Sequence, residues 1–195
     1  MVSVILVTHN QKYSLSRAID SVLNQTIMRW ELIIVDNGSD DGTDNFIKSY
    51  FLLNKKIRYF KRTYKGSISA KNFGIKNSIG SFITFIDPPD EYKPNHLELR
   101  VKYLEENPEI DIIHGGIDIV YHSTSKQKQK IKEQIQNDLL DKGYIGATIF
   151  GRRKVFELLN GFNEVDSEDL DFITRAIEYF NIRKVDFPTY IKHIN

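Results

Sequence analysis

Apolar residues fill three short stretches almost completely: residues 2–7, 32–35 and 82–86. Runs this short, rich in Val, Ile and Phe, fit strands buried on both faces of a parallel sheet. Residues 57–60 form a weaker fourth candidate. Between these runs the period changes. Leu15, Ala18, Ile19, Val22 and Leu23 recur at helical spacing behind Ser14, a predicted N-cap. Residues 43–53 follow a Gly/Asp turn and read as a helix. Residues 69–79 read as another, stopping at Gly80 as its C′ residue. Strands alternating with helices predict an α/β chain, with a mostly parallel central sheet flanked by helices and right-handed crossovers.

The second half has a different texture. Pro94 is expected in the first turn of a helix carrying Leu97, Val101 and Leu104. Residues 110–121 predict one or two strands, broken at Gly115-Gly116. Residues 123–136 are polar and rich in Lys and Gln, while Ile131, Ile135 and Leu139 lie four apart and predict an amphipathic helix. Two readings of this segment stand side by side: an excursion over a binding site, and a solvated surface helix. Residues 144–150 predict a strand, and residues 152–160 a helix ended by Gly161. Ser167 is expected to cap a helix carrying Leu170, Ile173 and Ile177.

Bulk properties narrow this picture. A chain of 195 residues suits a single domain with a sizeable core. A net charge of +1 offers no electrostatic reason for a nucleic-acid partner. The absence of cysteine excludes disulfides and thiolate metal sites, and suits a reducing compartment. Residues 2–7 are too short for a membrane span and carry no basic leader or cleavage site. The expected location is the cytoplasm, including the cytoplasmic face of a membrane.

Ligands of such sheets bind at the carboxyl ends of the strands. Those ends carry Thr8-His9-Asn10, Asp36-Asn37-Gly38-Ser39 and Asp87. Each piece also has a plain structural reading. In "VDNGSDDGT" (35–43), Asp, Asn, Gly and Ser make turns, and Asp or Thr caps helices. The functional reading is a base site, where a buried acceptor at a strand end rejects the wrong base at a cost of roughly 1–3 kcal/mol. Thr8 could hydrogen-bond a base or ribose and His9 could stack on a ring. A lone His is more often an ordinary surface or core residue. "SEDLD" (167–171) places two acids in a first helical turn, which the helix dipole alone explains. A general base is the alternative, of a kind that contributes about 10²–10⁴ in rate. His193, in "YIKHIN", is ordinary by default and an imidazole metal ligand otherwise. His114 and His122 form no constellation. No Gly-rich phosphate loop is present, so phosphates would need a metal or basic side chains, with Lys12, Lys65, Lys71, Arg152 and Arg153 as candidates.

Taken in order, these pieces resemble a family-two glycosyltransferase of the GT-A fold, which uses nucleotide-diphosphate sugars. The resemblance is carried by "VSVILVTHN", "AIDSVLNQT", "WELIIVDNGSDDGT", "KGSISAKNFGI", "GSFITFIDPPDEYKP", "GATIFGRRKVFELLNGFNE" and "SEDLDF", which span essentially the whole chain. It implies an enzyme that moves a sugar from a donor, most simply a UDP-sugar, to a hydroxyl of a glycan or other acceptor with inversion. It is expected to serve polysaccharide biosynthesis. By position, Thr8, His9, Asn10, Asp36 and Asn37 match the base-binding stretches, and Lys71 matches an Arg near the diphosphate. Lys71 keeps the charge but loses the bidentate fork. Asp169, with Glu168 before it, matches the catalytic base pair. Gly146 and Ala147 fall near the acceptor floor, with residues 123–142 shaping that side. Residues 1–93 would form the nucleotide-sugar half and residues 94–195 the acceptor half.

One departure matters. Asp87 matches the first acid of the D-x-D motif, but the position that usually holds Mn²⁺ or Mg²⁺ is Pro89, which has no ligand group. Asp90 is the nearest replacement. Three outcomes are open: Asp87 and Asp90 hold the ion with His193, basic residues replace it, or catalysis is lost and a nucleotide-sugar or glycan-binding module remains. A sugar-phosphate nucleotidyltransferase would need a Gly-rich, Arg-containing loop after its first strand, and "THNQKYS" is not one. The chain could also be one domain of a larger protein.

Overall fold

The computed structural model describes residues 1–122 and 146–194. Strands β1 (Val2–Thr8), β2 (Trp30–Asp36), β3 (Ile57–Lys61) and β4 (Phe82–Ile86) alternate with helices α1 (Leu15–Leu23), α2 (Thr43–Leu53) and α3 (Ser67–Asn77). Every residue of β2 and β4 is buried, which explains why their sequences show no alternation. A short strand β5 (Glu91–Tyr92) and helix α4 (His96–Glu106) follow. Next come β6 (Ile112–His114) and β7 (Ile117–Tyr121), then a 3-10 turn at Gly146–Thr148 and β8 (Phe150–Arg152). Helices α5 (Arg153–Leu158) and α6 (Glu168–Ala176) and strands β9 (Ile182–Lys184) and β10 (Tyr190–Ile194) complete the described chain.

The main sheet has the order β3-β2-β1-β4-β8-β6-β9. β3, β2, β1 and β4 are parallel, and β8 runs antiparallel to both β4 and β6. The register pairs Thr8 with Asp36 and Leu6 with Ile86, so the polar ends of β1, β2 and β4 reach one edge together. A second sheet of three strands has the order β5-β10-β7, in which β10 pairs antiparallel with β5 and parallel with β7. The fold is α/β with a mostly parallel central sheet flanked by helices, as expected.

Several elements differ in detail. Helix α3 ends at Asn77, with Ser78 as its C-cap in extended backbone, rather than running to Gly80. Gly80 is needed for a different reason: a Cβ there would meet Ser3 N at 2.6 Å and Met1 O at 2.9 Å. Pro94 precedes α4 instead of opening it, and its carbonyl accepts from Thr26 N at 2.9 Å. Where residues 144–150 predict one strand, residues 146–148 form a 3-10 turn and β8 starts only at Phe150. The inner face of α6 is Phe172, Ile173 and Ala176, while Leu170 and Ile177 are 54% and 60% exposed. The expected break at Gly115-Gly116 is present, with both residues at positive φ. The polar stretch of residues 123–136, its amphipathic helix and residues 144 and 145 of the predicted strand lie outside the described residues. Among the described residues, no helix is long and apolar enough to cross a membrane.

Candidate active site

A cavity of about 270 Å³ opens at the carboxyl edge of the parallel strands. Its wall includes Thr8, His9, Asn37, Lys71 and Asp87, residues contributed by four separate segments. Thr8 ends β1 and is buried, and its hydroxyl has no hydrogen-bond partner. An unsatisfied buried hydroxyl costs free energy unless a ligand completes it. His9 is exposed, and its ring lies 4.9 Å from that of Tyr64 at 53°. Asn37 is buried, with Oδ1 accepting from Lys65 N at 3.1 Å.

Asp36 and Asn10 have other partners. The Asp36 carboxylate is fully buried and accepts from Ser39 N at 2.8 Å and from the Tyr59 hydroxyl at 2.6 Å. Burial, then the hydrogen bond to Asp36, pushes the Tyr59 hydroxyl upward. Asp36 thus props the loop that carries Asn37, and it is absent from the cavity wall. Asn10, in left-handed backbone at φ 52, accepts from Asp40 N at 2.9 Å, and its own N–H donates to Ser39 Oγ at 3.0 Å. It faces a larger neighbouring cavity of about 500 Å³, whose wall contains none of Lys71, Asp87 or Asp169.

The acids of α6 meet this cavity through Lys71. Its Nζ is 3.2 Å from Glu168 Oε1 and 3.7 Å from Asp169 Oδ1. Burial alone would lower the Lys71 ammonium, but Asp169, Asp87 and Glu168 outweigh it and the net direction is upward. Asp169 Oδ1 is buried and makes no hydrogen bond. Burial pushes its carboxyl above the ordinary aspartate value, helped by Glu168 and Asp87 and opposed by Lys71. Gly146 explains how the carboxylate is seated: a Cβ at this position would fall inside it. Ala147, next in the same turn, is half-buried.

Asp87 follows β4 directly and lines the cavity. Asp90, three residues on, is buried and spoken for. Its Oδ1 accepts from His193 N at 2.9 Å and its Oδ2 from the Tyr190 hydroxyl at 2.8 Å. His193 Nε2 lies 2.8 Å from Glu91 Oε1 and Nδ1 lies 2.8 Å from His122 Nε2, so both ring nitrogens are engaged. The set of Asp87, Asp90 and His193 therefore does not assemble as metal ligands. Among the described residues, no group of three or more His, Asp or Glu is placed to hold an ion. What remains is a single carboxylate, Asp87, at the cavity, which would hold an ion such as Mg²⁺ only together with substrate phosphates and waters.

Tyr64, Gln11, Ser67 and Pro88 also line the cavity and were not among the sequence candidates. Tyr64 was findable, since it follows β3 at the same sheet edge as Thr8, Asp36 and Asp87. The weak apolar signal of β3 hid it.

Comparison with known proteins identifies the family and the fold. The profile of glycosyl transferase family 2 matches residues 3–159. A glycosyltransferase of Rickettsia bellii is 41% identical over 106 residues, covering 54% of this chain and 15% of that protein. An Escherichia coli enzyme named UDP-Glc:alpha-D-GlcNAc-diphosphoundecaprenol beta-1,3-glucosyltransferase is 31% identical over 149 residues, covering 75% of this chain and 58% of the enzyme. The chain thus spans less than two thirds of the length of these relatives. Among solved structures, S. aureus TarS 1-349 in complex with UDP-GlcNAc superposes with a TM-score of 0.80 at 18% identity, over 100% of this chain and 58% of that fragment. A Pyrobaculum calidifontis mannosyltransferase in complex with GDP-Man and Mn²⁺ gives 0.79 at 18%, over 98% and 56%. The fold is that of GT-A enzymes, and the chain belongs to glycosyl transferase family 2, a family of glycosyltransferases.

Proposed function

We propose that the chain carries an inverting transfer of a sugar from a UDP-sugar to a hydroxyl of a glycan or other acceptor, with Asp169 as the general base. The observation that carries this reading is the buried Oδ1 of Asp169, which makes no hydrogen bond and is ion-paired at 3.7 Å with Lys71, a residue of the cavity wall that also holds Asp87. A raised carboxyl is a better proton acceptor once ionised, because the proton it takes is bound more tightly. The acceptor hydroxyl gives its proton to Asp169 while its oxygen attacks the anomeric carbon. The bond from that carbon to the diphosphate breaks on the opposite face, so configuration inverts in one displacement.

Thr8, His9, Asn37 and Tyr64 form the base and ribose wall in this reading, with Asp36 fixing the loop behind it. Lys71 attracts the diphosphate. Asp87 would be the protein ligand of a Mn²⁺ or Mg²⁺ shared with the nucleotide, and such an ion neutralises charge on the departing group. Gly146 and Ala147 form the acceptor side, and residues 1–93 and 94–195 divide donor from acceptor work. The UDP assignment draws on the names of the E. coli relative and the TarS complex. The E. coli name also motivates a lipid-linked glycan acceptor at the cytoplasmic face of a membrane, within polysaccharide biosynthesis and a longer chain.

The test is calorimetric titration of UDP with Mn²⁺ and then with EDTA, followed by a transfer screen with UDP-sugars. Binding of UDP and turnover of one sugar are expected. Preference for GDP or dTDP would overturn the donor assignment. Binding without turnover across the panel would favour the non-catalytic module that Pro89 suggests.

A further inference from the structure

The Lys71 ammonium stands where two demands meet. On one side it lines the cavity with Thr8, His9 and Asp87. On the other it pairs with Glu168 at 3.2 Å and Asp169 at 3.7 Å. Its side chain is only 13% exposed, so solvent screens these contacts weakly. It also lies 5.4 Å from the centre of the Phe162 ring. Three carboxylates, Asp87, Glu168 and Asp169, act on this one cation.

We infer that Lys71 is a positioning residue shared between donor and base: Glu168 and Asp169 hold it while the crevice is empty, and the donor diphosphate draws it away. This deepens the proposed function and rests on it. A lysine suits the task because its point charge rides on a flexible four-carbon stem, whereas an arginine fork would lock onto one carboxylate. A diphosphate brings more negative charge than either side chain, so the ammonium exchanges partners when the donor enters. The transfer strips Asp169 of its counter-ion. Its carboxylate then holds an incoming proton more tightly, so the base is readied only when a sugar is present to receive the attacking oxygen. Glu168 keeps a role here without touching substrate: it retains Lys71 near the base in the empty enzyme.

The consequence for binding is specific. Asp169 and Glu168 compete with the donor for Lys71, so neutralising them strengthens donor binding, and does so through Lys71. The experiment measures UDP affinity by calorimetry at fixed Mn²⁺ for wild type, Asp169→Asn, Lys71→Met and the double variant. Asp169→Asn is expected to tighten UDP up to about fivefold, the scale of a partly exposed ion pair. The same change in the Lys71→Met background is expected to give less than half that gain. No gain from Asp169→Asn in wild type would overturn the inference, as would half or more of the gain persisting without Lys71, which would mean simple repulsion between Asp169 and the nucleotide. A crystal structure of the wild type with UDP gives an independent reading should Lys71→Met fail to fold. Lys71 Nζ on a phosphate oxygen and more than 4 Å from Asp169 supports the exchange, while an unmoved Lys71–Glu168–Asp169 cluster overturns it. If wild type binds no UDP, the donor assignment fails, and this inference fails with it.

Discussion

Two acidic regions, the loop after β4 and the first turn of α6, look alike as sequence and differ in structure. Asp90 in the loop has a donor on each oxygen, Tyr190 and the His193 backbone. Asp169 in the helix has a buried oxygen with none. Burial raises both carboxyls. In Asp90 the cost is offset by fixed hydrogen bonds, so the residue acts as a strut. In Asp169 the compensation comes from the Lys71 ammonium at 3.7 Å rather than from a hydrogen bond, which in the proposed mechanism leaves that oxygen open to an acceptor hydroxyl. Exposure and charge alone do not distinguish the two acids, whereas hydrogen-bond satisfaction does.

The widest test of the contrast is Asp169→Asn. Transfer should fall by about 10²–10⁴ in kcat, as for loss of a general base, with UDP still bound. The same variant should unfold no more easily than wild type. The sign follows from the raised carboxyl: below the ordinary value of 3.8 both states hold the proton and no penalty exists. As pH rises through the raised folded value, the folded state must ionise a desolvated group and loses stability relative to wild-type behaviour at low pH. Asparagine removes that loss, so any gain should appear at neutral pH and vanish in acid. Urea unfolding at both pH values checks it.

Gly146→Ala probes the seat of the base. The added Cβ collides with the Asp169 carboxylate. A displacement near 1 Å can cost about 10² in rate, so a drop of that order in kcat is expected, with UDP affinity nearly unchanged. Full activity in this variant would break the link between the 3-10 turn and the base. Asp90→Ala should reverse the pattern. It strands the Tyr190 hydroxyl and the His193 N–H, and stability should fall by about 1–3 kcal/mol in urea unfolding. The smallest effect is in the pH profile. The acid limb of kcat/KM should lie above the ordinary aspartate range, because activity needs Asp169 ionised and its carboxyl is raised. A limb at or below 3.8 would remove Asp169 from that role.

Much of the first half of the chain was legible in the sequence, because buried parallel strands are apolar runs and their polar ends fall at one edge by topology alone. Helix α2 was placed residue for residue for the same local reason. What escaped depends on contacts between distant positions. Gly80 resembles a helix stop, and only the approach of Ser3 shows why it is glycine. Asp90 reads as a ligand until Tyr190, a hundred residues later, takes its oxygen. The Lys71–Glu168 pair joins positions 97 apart, and no local pattern announces it. The 3-10 turn at 146–148 replaces a predicted strand because Gly146 must pass over Asp169, a steric demand invisible to hydropathy.

Strand β10 has a consequence for the order of events during synthesis. It supplies both donors that hold Asp90, and it pairs with β5 beside the Asp87 loop. The parallel strands β1 to β4 are complete once residue 86 has been made. The loop that follows must wait for residues 190–194. Chains emerge from the ribosome at about 5–20 residues per second, so the parallel scaffold can be built seconds before its own acidic loop is fastened. A nascent chain halted before Tyr190 would hold the sheet and leave Asp90 without the two donors that fix it.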